Sequence, residues 1–436
     1  MKLKSLDIEN FRGIAKLHLE FGERLTVIVG ENGVGKTTVL DALAILLDQY
    51  VARFVHGSPR RARKILEVDV GGQARLNPFY TASLAVSFRD NNEAPVDWSM
   101  VYREKISKKQ ALAKWRTAVR DSNKKNYFTS LDNFINKIMG DNSMNRHGPL
   151  FAFYSQKRSF FDSKKLKSIN QYAPADAFNR ALNGDFDFRD FKKYFLWLSR
   201  IEDNHADISL QSVNRAISSI SGNYAALHIP GSDLLISKRN IQNSPHSINN
   251  ILNFDQLSSG EKILIALLGD VSRRLSILNP KSKNPLLCDG LVLIDEIELN
   301  LHPRWQRIFL PILLKTFPNC QFVVTTHSPQ VLGEVEAANI RVLRASKEGF
   351  IESWIPDATY GRDSNHILLH VLGADERDEG LKDDLDALDD AIANGRLQAA
   401  AEKLAELREK IEGYPPELTI AQARLERRQR QKERGE

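Results

Sequence analysis

Residues Leu25–Leu40 read LTVIVGENGVGKTTVL. The run from Leu25 to Gly30 is apolar or small almost throughout, the pattern of a strand covered on both faces. Beyond Gly35 the pattern changes: Val39, Leu40, Leu43, Leu46 and Leu47 recur at helical spacing. A strand, a glycine loop and a helix therefore follow in order. The loop residues Gly30, Glu31, Asn32, Gly33, Val34, Gly35, Lys36, Thr37 and Thr38 fit the phosphate-binding pattern G-x-x-x-x-G-K-[ST]. Glycines let backbone N–H groups turn inward on phosphates, and the helix start adds a favourable dipole. Lys36 supplies a cation to the β- and γ-phosphates of a nucleotide, and the Thr37 hydroxyl is suited to hold Mg²⁺.

Three further motifs follow the loop. Leu291–Glu296, LVLIDE, reads as a buried strand ending in two carboxylates. Asp295 suits Mg²⁺ coordination, and Glu296 suits polarisation of an attacking water. Acids are common at strand ends, so this motif gains its weight from the phosphate loop. Leu257–Lys262, LSSGEK, precedes the apolar run Ile263–Leu268. Backbone N–H groups and the Ser258 or Ser259 hydroxyl at that helix start could bind a phosphate; taken alone, an ordinary N-cap is the better reading. Thr326–Pro329, THSP, puts His327 at the end of a buried strand, Phe322–Thr326, where a lone histidine is more often a satisfied loop residue.

Outside these motifs, strands are expected around Leu3, Leu6 and Ile8, and over Leu17–Phe21, Ala82–Phe88, Trp98–Tyr102 and Pro149–Tyr154. NNEAP marks a turn between the third and fourth of these. Polar, basic, helical sequence fills 105–145, and Phe188–Ile201 carries core aromatics at helical spacing. The tail holds one stripe of Leu381, Leu385, Leu388 and Ile392. A second stripe holds Leu397, Ala401, Leu404, Leu407 and Ile411, and a basic helix follows Pro415–Pro416. The expected class is α/β. Its parts are a lobe over 1–158, a helical subdomain over 159–225, a second lobe over 226–372 and a helical tail over 373–436.

The 436 residues are 42% hydrophobic and 27% charged, which supplies a sizeable core and excludes wholesale disorder. No apolar run reaches the roughly 18 residues of a membrane span. The start, MKLKSLDIENFRG, lacks the apolar segment of a secretory signal, so the cytoplasm is the expected compartment. Cys288 and Cys320 are the only cysteines, which excludes a disulfide framework or a cysteine zinc site. The net charge of +6 permits nucleic-acid contact without demanding it. Basic clusters occur at Arg60, Arg61, Arg63 and Lys64, along Lys105–Lys125 with Trp115, at Lys164, Lys165 and Lys167, and in the final RRQRQKER. Each reads first as a solvated face.

In their order, the four motifs resemble an ABC-type P-loop ATPase of the branch that includes the RecF, structural-maintenance-of-chromosomes and OLD-like proteins. IENFRGI at Ile8–Ile14 is typical of that branch. LSSGE is similar to its signature LSGGQ: Ser258 keeps the serine, Ser259 replaces a glycine and Glu261 the glutamine. The resemblance implies a mixed-sheet lobe plus a helical lobe, ATP and Mg²⁺ as cofactors, and two heads packed head-to-tail around ATP. Lys36, Thr37, Asp295, Glu296 and His327 of one copy would face Leu257, Ser258, Ser259, Gly260 and Glu261 of the other. Ser258 would contact the γ-phosphate in trans, and His327 would sense it. Gln156, just after the PLFAFY strand, is the candidate Q-loop residue for Mg²⁺ or water, and Arg12 is a candidate to approach the phosphates.

YGRDSNHIL at Tyr360–Leu368, an acidic helix, a helical hairpin and a third helix opening with YPPEL resemble the ATPase subunit of Septu-type anti-phage defence systems, including retron-associated forms. That implies a separate HNH nuclease as partner. The alternative is a RecF-like ATP-dependent DNA clamp. Membrane transport is disfavoured by IENFRG. His366 and His370 lie four apart with no third ligand in view, which reads as a polar helix face. Asp384 and Asp386 form a D-x-D inside a helical stripe, and too little chain follows for a TOPRIM nuclease. The acidic stretch Asp375–Asp390 suits a docking surface for a basic partner or a solvated face.

Overall fold

The computed structural model describes residues 1–70, 81–89, 95–103, 127–140, 148–159, 172–201, 204–220, 224–228, 234–239, 249–346, 350–374, 379–413 and 415–433. The basic segment Lys105–Lys125, the cluster at Lys164, Lys165 and Lys167, and most of NNEAP lie outside the described residues. The chain divides into two units, Met1–Ile367 and Leu368–Glu436.

In chain order the strands are β1 (Lys2–Phe11), β2 (Ile14–Glu20), β3 (Leu25–Gly30), β4 (Thr81–Arg89), β5 (Val96–Arg103), β6 (Leu150–Ser159), β7 (Gly184–Asp187), β8 (Tyr224–His228), β9 (Leu234–Arg239), β10 (Asn249–Asn253), β11 (Gly290–Ile294), β12 (Cys320–Thr325), β13 (Ile340–Ala345) and β14 (Ile351–Trp354). The helices of the larger unit are α1 (Lys36–His56), α2 (Thr129–Gly140), α3 (Phe188–Leu198), α4 (Asn204–Ser218), α5 (Ser259–Leu278), α6 (Pro303–Thr316) and the single turns α7 (Pro329–Leu332) and α8 (Ser364–Ile367).

The main sheet has the order β14-β13-β3-β12-β11-β6-β7, and every pair is parallel except β13 with β14. The apolar runs in β3, β11 and β12 are buried at every position, as a strand covered on both faces requires. Parallel neighbours bring their carboxyl ends to one edge of a sheet, where open α/β sheets bind ligands. The phosphate loop after β3, Asp295 after β11 and His327 after β12 therefore emerge side by side.

A second, antiparallel sheet, β2-β1-β4-β5, covers the other side of α1. Trp98 on β5 donates its indole N–H to the Leu46 carbonyl at 2.9 Å and stacks on Phe88 with ring centres 5.0 Å apart. From the main sheet, Phe151 meets Tyr50 edge-on at 4.9 Å. Helix α1 is thus enclosed by two sheets, and burial extends well beyond the single stripe visible in its sequence. A small third sheet, β10-β9-β8, stands before α5. The stretch read as helical, 159–225, holds α3 and α4, and also β7, which joins the main sheet.

Helix α5 is buried along almost its whole length. A Cβ at Gly269 would lie 2.6 Å from the Phe191 ring, so glycine allows α3 its close approach. Next to it, Asp270 is 1% exposed and accepts from Tyr154 Oη at 2.8 Å, from Arg273 at 2.8 and 2.5 Å, and from Arg274 at 2.7 Å. Arg274 also donates to the Ala177 and Asn179 carbonyls at 2.6 and 3.1 Å. Burial alone would raise the Asp270 carboxyl, but the two guanidinium groups overcome it and bring it down to about 2, from 3.8. A depressed carboxyl stabilises the fold above its unfolded value and loses that contribution as pH falls through the folded one. This support is therefore complete above about pH 4 and fades toward pH 2. Asp270→Ala strands two buried cations and is expected to cost about 3–5 kcal/mol, read as a lower urea midpoint. An unchanged midpoint would show the cluster to be dispensable.

The smaller unit contains α9 (Glu379–Ala393), α10 (Leu397–Lys410) and α11 (Pro416–Glu433). Their narrow apolar seams pack on one another around Leu388, Ile392, Leu404, Leu407, Leu418 and Leu425. Asp384, from the D-x-D, is ion-paired with Lys403 at 2.7 Å and Lys410 at 2.6 Å. No helix among the described residues is long and apolar enough to cross a membrane. No group of three or more potential metal ligands of the His, Cys, Asp or Glu type occurs among them, and none forms around His366 and His370.

Candidate nucleotide site

The phosphate loop takes its shape from its glycines. Gly30, Gly33 and Gly35 have φ of 149°, 82° and 107°, a region that side chains rarely enter. Gly30 is doubly constrained, because a Cβ there would come within 2.4 Å of the Leu343 carbonyl on β13. Gly35 caps α1, and its carbonyl accepts from Val39 N–H at 2.9 Å. Glu31, Asn32 and Gly33 are exposed, whereas Val34 turns inward; Thr38 is half-buried on the first turn. Lys36 is 7% exposed and folds back over the loop, donating to the Gly30 and Glu31 carbonyls at 2.9 Å each. Burial lowers its pKa against the opposing pull of Asp295, Glu296 and Glu298.

Across the strand ends, the Thr37 hydroxyl donates to Asp295 Oδ2 at 3.0 Å. The other oxygen of Asp295 accepts from Thr325 Oγ1 at 2.6 Å, and the Asp295 N–H donates to the Tyr154 carbonyl at 2.8 Å. Asp295 is 1% exposed; its carboxylate is held from α1 and β12 and its backbone from β6. The Thr37–Asp295 pair is an all-oxygen arrangement of the kind Mg²⁺ takes, with a carboxylate and a hydroxyl on opposite sides of one gap. The donor set fits the ion and a nucleotide phosphate.

Glu296 has φ of 46°, unusual for a residue with a Cβ, and its N–H donates to Thr325 Oγ1 at 2.8 Å. Thr325 thereby ties both carboxylate residues of the motif to β12. The next strand exit is tied in turn: Glu298 accepts from Thr326 Oγ1 at 2.7 Å and from His327 N–H at 2.6 Å. His327 is half-buried. Burial, then the charge of Lys36, hold its imidazole below the usual 6.5. The structure brings Lys36, Thr37, Asp295, Glu296 and His327 to one edge. Thr325 and Glu298 fall outside the residues singled out from the sequence, and Thr326 enters there only as the start of THSP; the signal for all three is their place beside motif residues at parallel strand ends.

The signature segment lies elsewhere on the same chain. Ser258 is the N-cap of α5, closing a capping box with Glu261: Ser258 N–H and Oγ donate to Glu261 Oε2 at 2.9 and 2.7 Å. Glu261 also accepts from Tyr224 Oη and Lys238 Nζ, both at 2.6 Å. Burial opposes ionisation, but these donors win and bring Glu261 to about 2. Leu257 is buried, Ser259 exposed, and Gly260 rests against Asn300, Leu301 and Trp305. The hydrogen bonds described for Ser258 and Glu261 do not reach the phosphate loop.

Gln156 is placed differently from its reading. Gln156 does not follow its strand: β6 continues to Ser159, because it extends past β11 to pair with β7, and Gln156 lies inside it, exposed. Its level is nonetheless near Asp295, since Tyr154 pairs with Ile294. Arg12, at φ 51°, is ion-paired with Asp41 of α1 and with Asp69, the latter at 3.0 Å.

Residues 25–333 match the family model described as "AAA domain, putative AbiEii toxin, Type IV TA system". The chain is 29% identical to the "Retron Ec83 probable ATPase" of Escherichia coli, over 81% of this chain and 75% of that one. It is 25% identical to the "Septu protein PtuA" of Bacillus thuringiensis, over 86% of this chain and 85% of that one. Among solved structures, the SMC head domain from Thermotoga maritima aligns with a TM-score of 0.44 at 16% identity, covering 82% of this chain and all of that one.

Proposed function

Because this chain belongs to the AAA-domain family and is an ATPase by kinship with its relatives, we propose that it is the nucleotide-driven subunit of an anti-phage defence complex. ATP and Mg²⁺ bind at the phosphate loop, Asp295 and Thr37. Lys36 holds the phosphates, Glu296 polarises water and His327 contacts the γ-phosphate; Gln156 and Arg12 flank the site. Two copies pack head-to-tail, so that Leu257–Glu261 of one closes the site of the other. The observation that carries this reading is that Ser258 caps a buried helix and its hydrogen bonds stay away from its own chain's phosphate loop. A helix start so placed offers its N–H groups to a phosphate arriving from outside.

The relatives named as retron ATPase and Septu PtuA support the defence role. The partner is an HNH nuclease, and the helical tail from residue 373 onward is its docking region. The complex is cytoplasmic.

ATP with the Glu296→Gln protein is expected to double the solution mass measured by light scattering, and Lys36→Ala should stay monomeric under the same conditions. A mass that ignores ATP would overturn the trans arrangement. Tagging the protein at its native locus and identifying stoichiometric partners tests the rest. A co-purifying HNH nuclease is expected; a homodimer alone that binds DNA in an ATP- and salt-dependent way would favour the clamp.

A further inference from the structure

Glu298 stands two residues beyond Glu296, yet its chemistry is different. The β11–β12 ladder ends at Ile294 and Val324. The chains then stay joined through Ile297 N–H to the Thr325 carbonyl at 3.0 Å. Past that point Glu298 spans the gap, with one carboxylate oxygen on the Thr326 hydroxyl and the other on the His327 backbone N–H. The Thr326 oxygen accepts in turn from Ser328 N–H at 3.0 Å, which completes a clamp on both sides of His327. Charge-assisted hydrogen bonds of this kind are short and roughly twice as strong as neutral ones. They fix the backbone that carries the imidazole, at the exit of β12 beside the exit of β3 and its phosphate loop.

We propose that Glu298 is a positioning residue for ATP hydrolysis, one that holds the His327 loop against the β11 exit so that the imidazole faces the phosphate end of the site. The two acids of the Glu296–Glu298 pair thus divide the work: the first acts on water, the second on the loop. This rests on the reading of His327 given above.

The test is steady-state hydrolysis of Mg-ATP by the full chain as wild type, Glu298→Ala, Glu298→Gln, His327→Ala and the Glu298→Ala/His327→Ala double variant. Displacing the loop by about 1 Å is expected to lower kcat in Glu298→Ala by ~10- to 100-fold, with KM within about twofold. Glu298→Gln should recover most of that loss. Its carbonyl accepts from His327 N–H, and the Thr326 hydroxyl can rotate to accept from the amide. Because Glu298 acts through His327, the double variant should be no slower than His327→Ala. Losses that multiply in the double variant, or a glutamine variant as slow as alanine, overturn the proposal. Wild-type turnover in His327→Ala overturns the histidine reading first and the Glu298 assignment with it. If Glu298→Ala does not fold, Thr326→Val removes one arm of the clamp. It should cost kcat about 2- to 10-fold in the wild type and nothing in the His327→Ala background; an unchanged wild-type kcat overturns the proposal.

Discussion

Glu296→Gln is expected to bind ATP normally and to hydrolyse it ~10²- to 10⁴-fold more slowly. The backbone at Glu296 sits in the left-handed region, a conformation that costs of order 1–3 kcal/mol and persists only where the surroundings over-determine it. Here the surroundings are identifiable. The Thr325 hydroxyl accepts the Glu296 N–H and donates to Asp295, so one side chain fixes both carboxylate residues. Glutamine is nearly isosteric and leaves these backbone contacts alone. What it lacks is the negative charge and the basic oxygen that would take a proton from water. The loss should therefore fall on kcat, with nucleotide affinity retained. Phosphate release at saturating Mg-ATP, with nucleotide retention measured on the same preparation, separates the two. Wild-type turnover in the variant would remove Glu296 from the reaction.

Lys36→Ala should instead weaken nucleotide binding itself. In the structure the ammonium is buried and satisfied only by two loop carbonyls among the hydrogen bonds described for it. Anionic phosphate oxygens are stronger acceptors for a cation than neutral carbonyls. Removing one partner of a buried, charged contact costs about 2–5 kcal/mol, so affinity for ATP should fall about 30- to 5000-fold. The loop itself should survive, because its shape comes from the positive φ of Gly30, Gly33 and Gly35 and from the α1 cap. Titration with a fluorescent ATP analogue reads the affinity, and thermal unfolding without nucleotide checks the fold. A variant that unfolds as the wild type does but binds ATP undiminished would contradict the assignment.

Much of this architecture is legible along the chain. Strand β3, the glycine loop and α1 are specified by local pattern: a doubly buried strand must be continuously apolar, and a phosphate loop must have glycine where φ turns positive. The same holds for β11 and β12, whose apolar runs announce them. Strands β13 and β14 read IRVLRA and IESW, and β8 to β10 are short and mixed, so no periodicity marks them; only hydrogen-bond pairing makes them strands. The burial of α1 beyond its one apolar stripe was equally hidden, because it depends on a second sheet formed by residues far along the sequence.

Residue chemistry was thus written locally, while neighbour relations were not. Lys36, Thr37, Asp295, Glu296 and His327 are each recognisable from a few adjoining residues. Their convergence follows from strand order β3-β12-β11, which no local pattern encodes. Glu298 and Thr325 look unremarkable in sequence, since a carboxylate or hydroxyl acquires its role only from the donor opposite it. That donor is supplied by a strand some 30 residues away, brought alongside by parallel pairing.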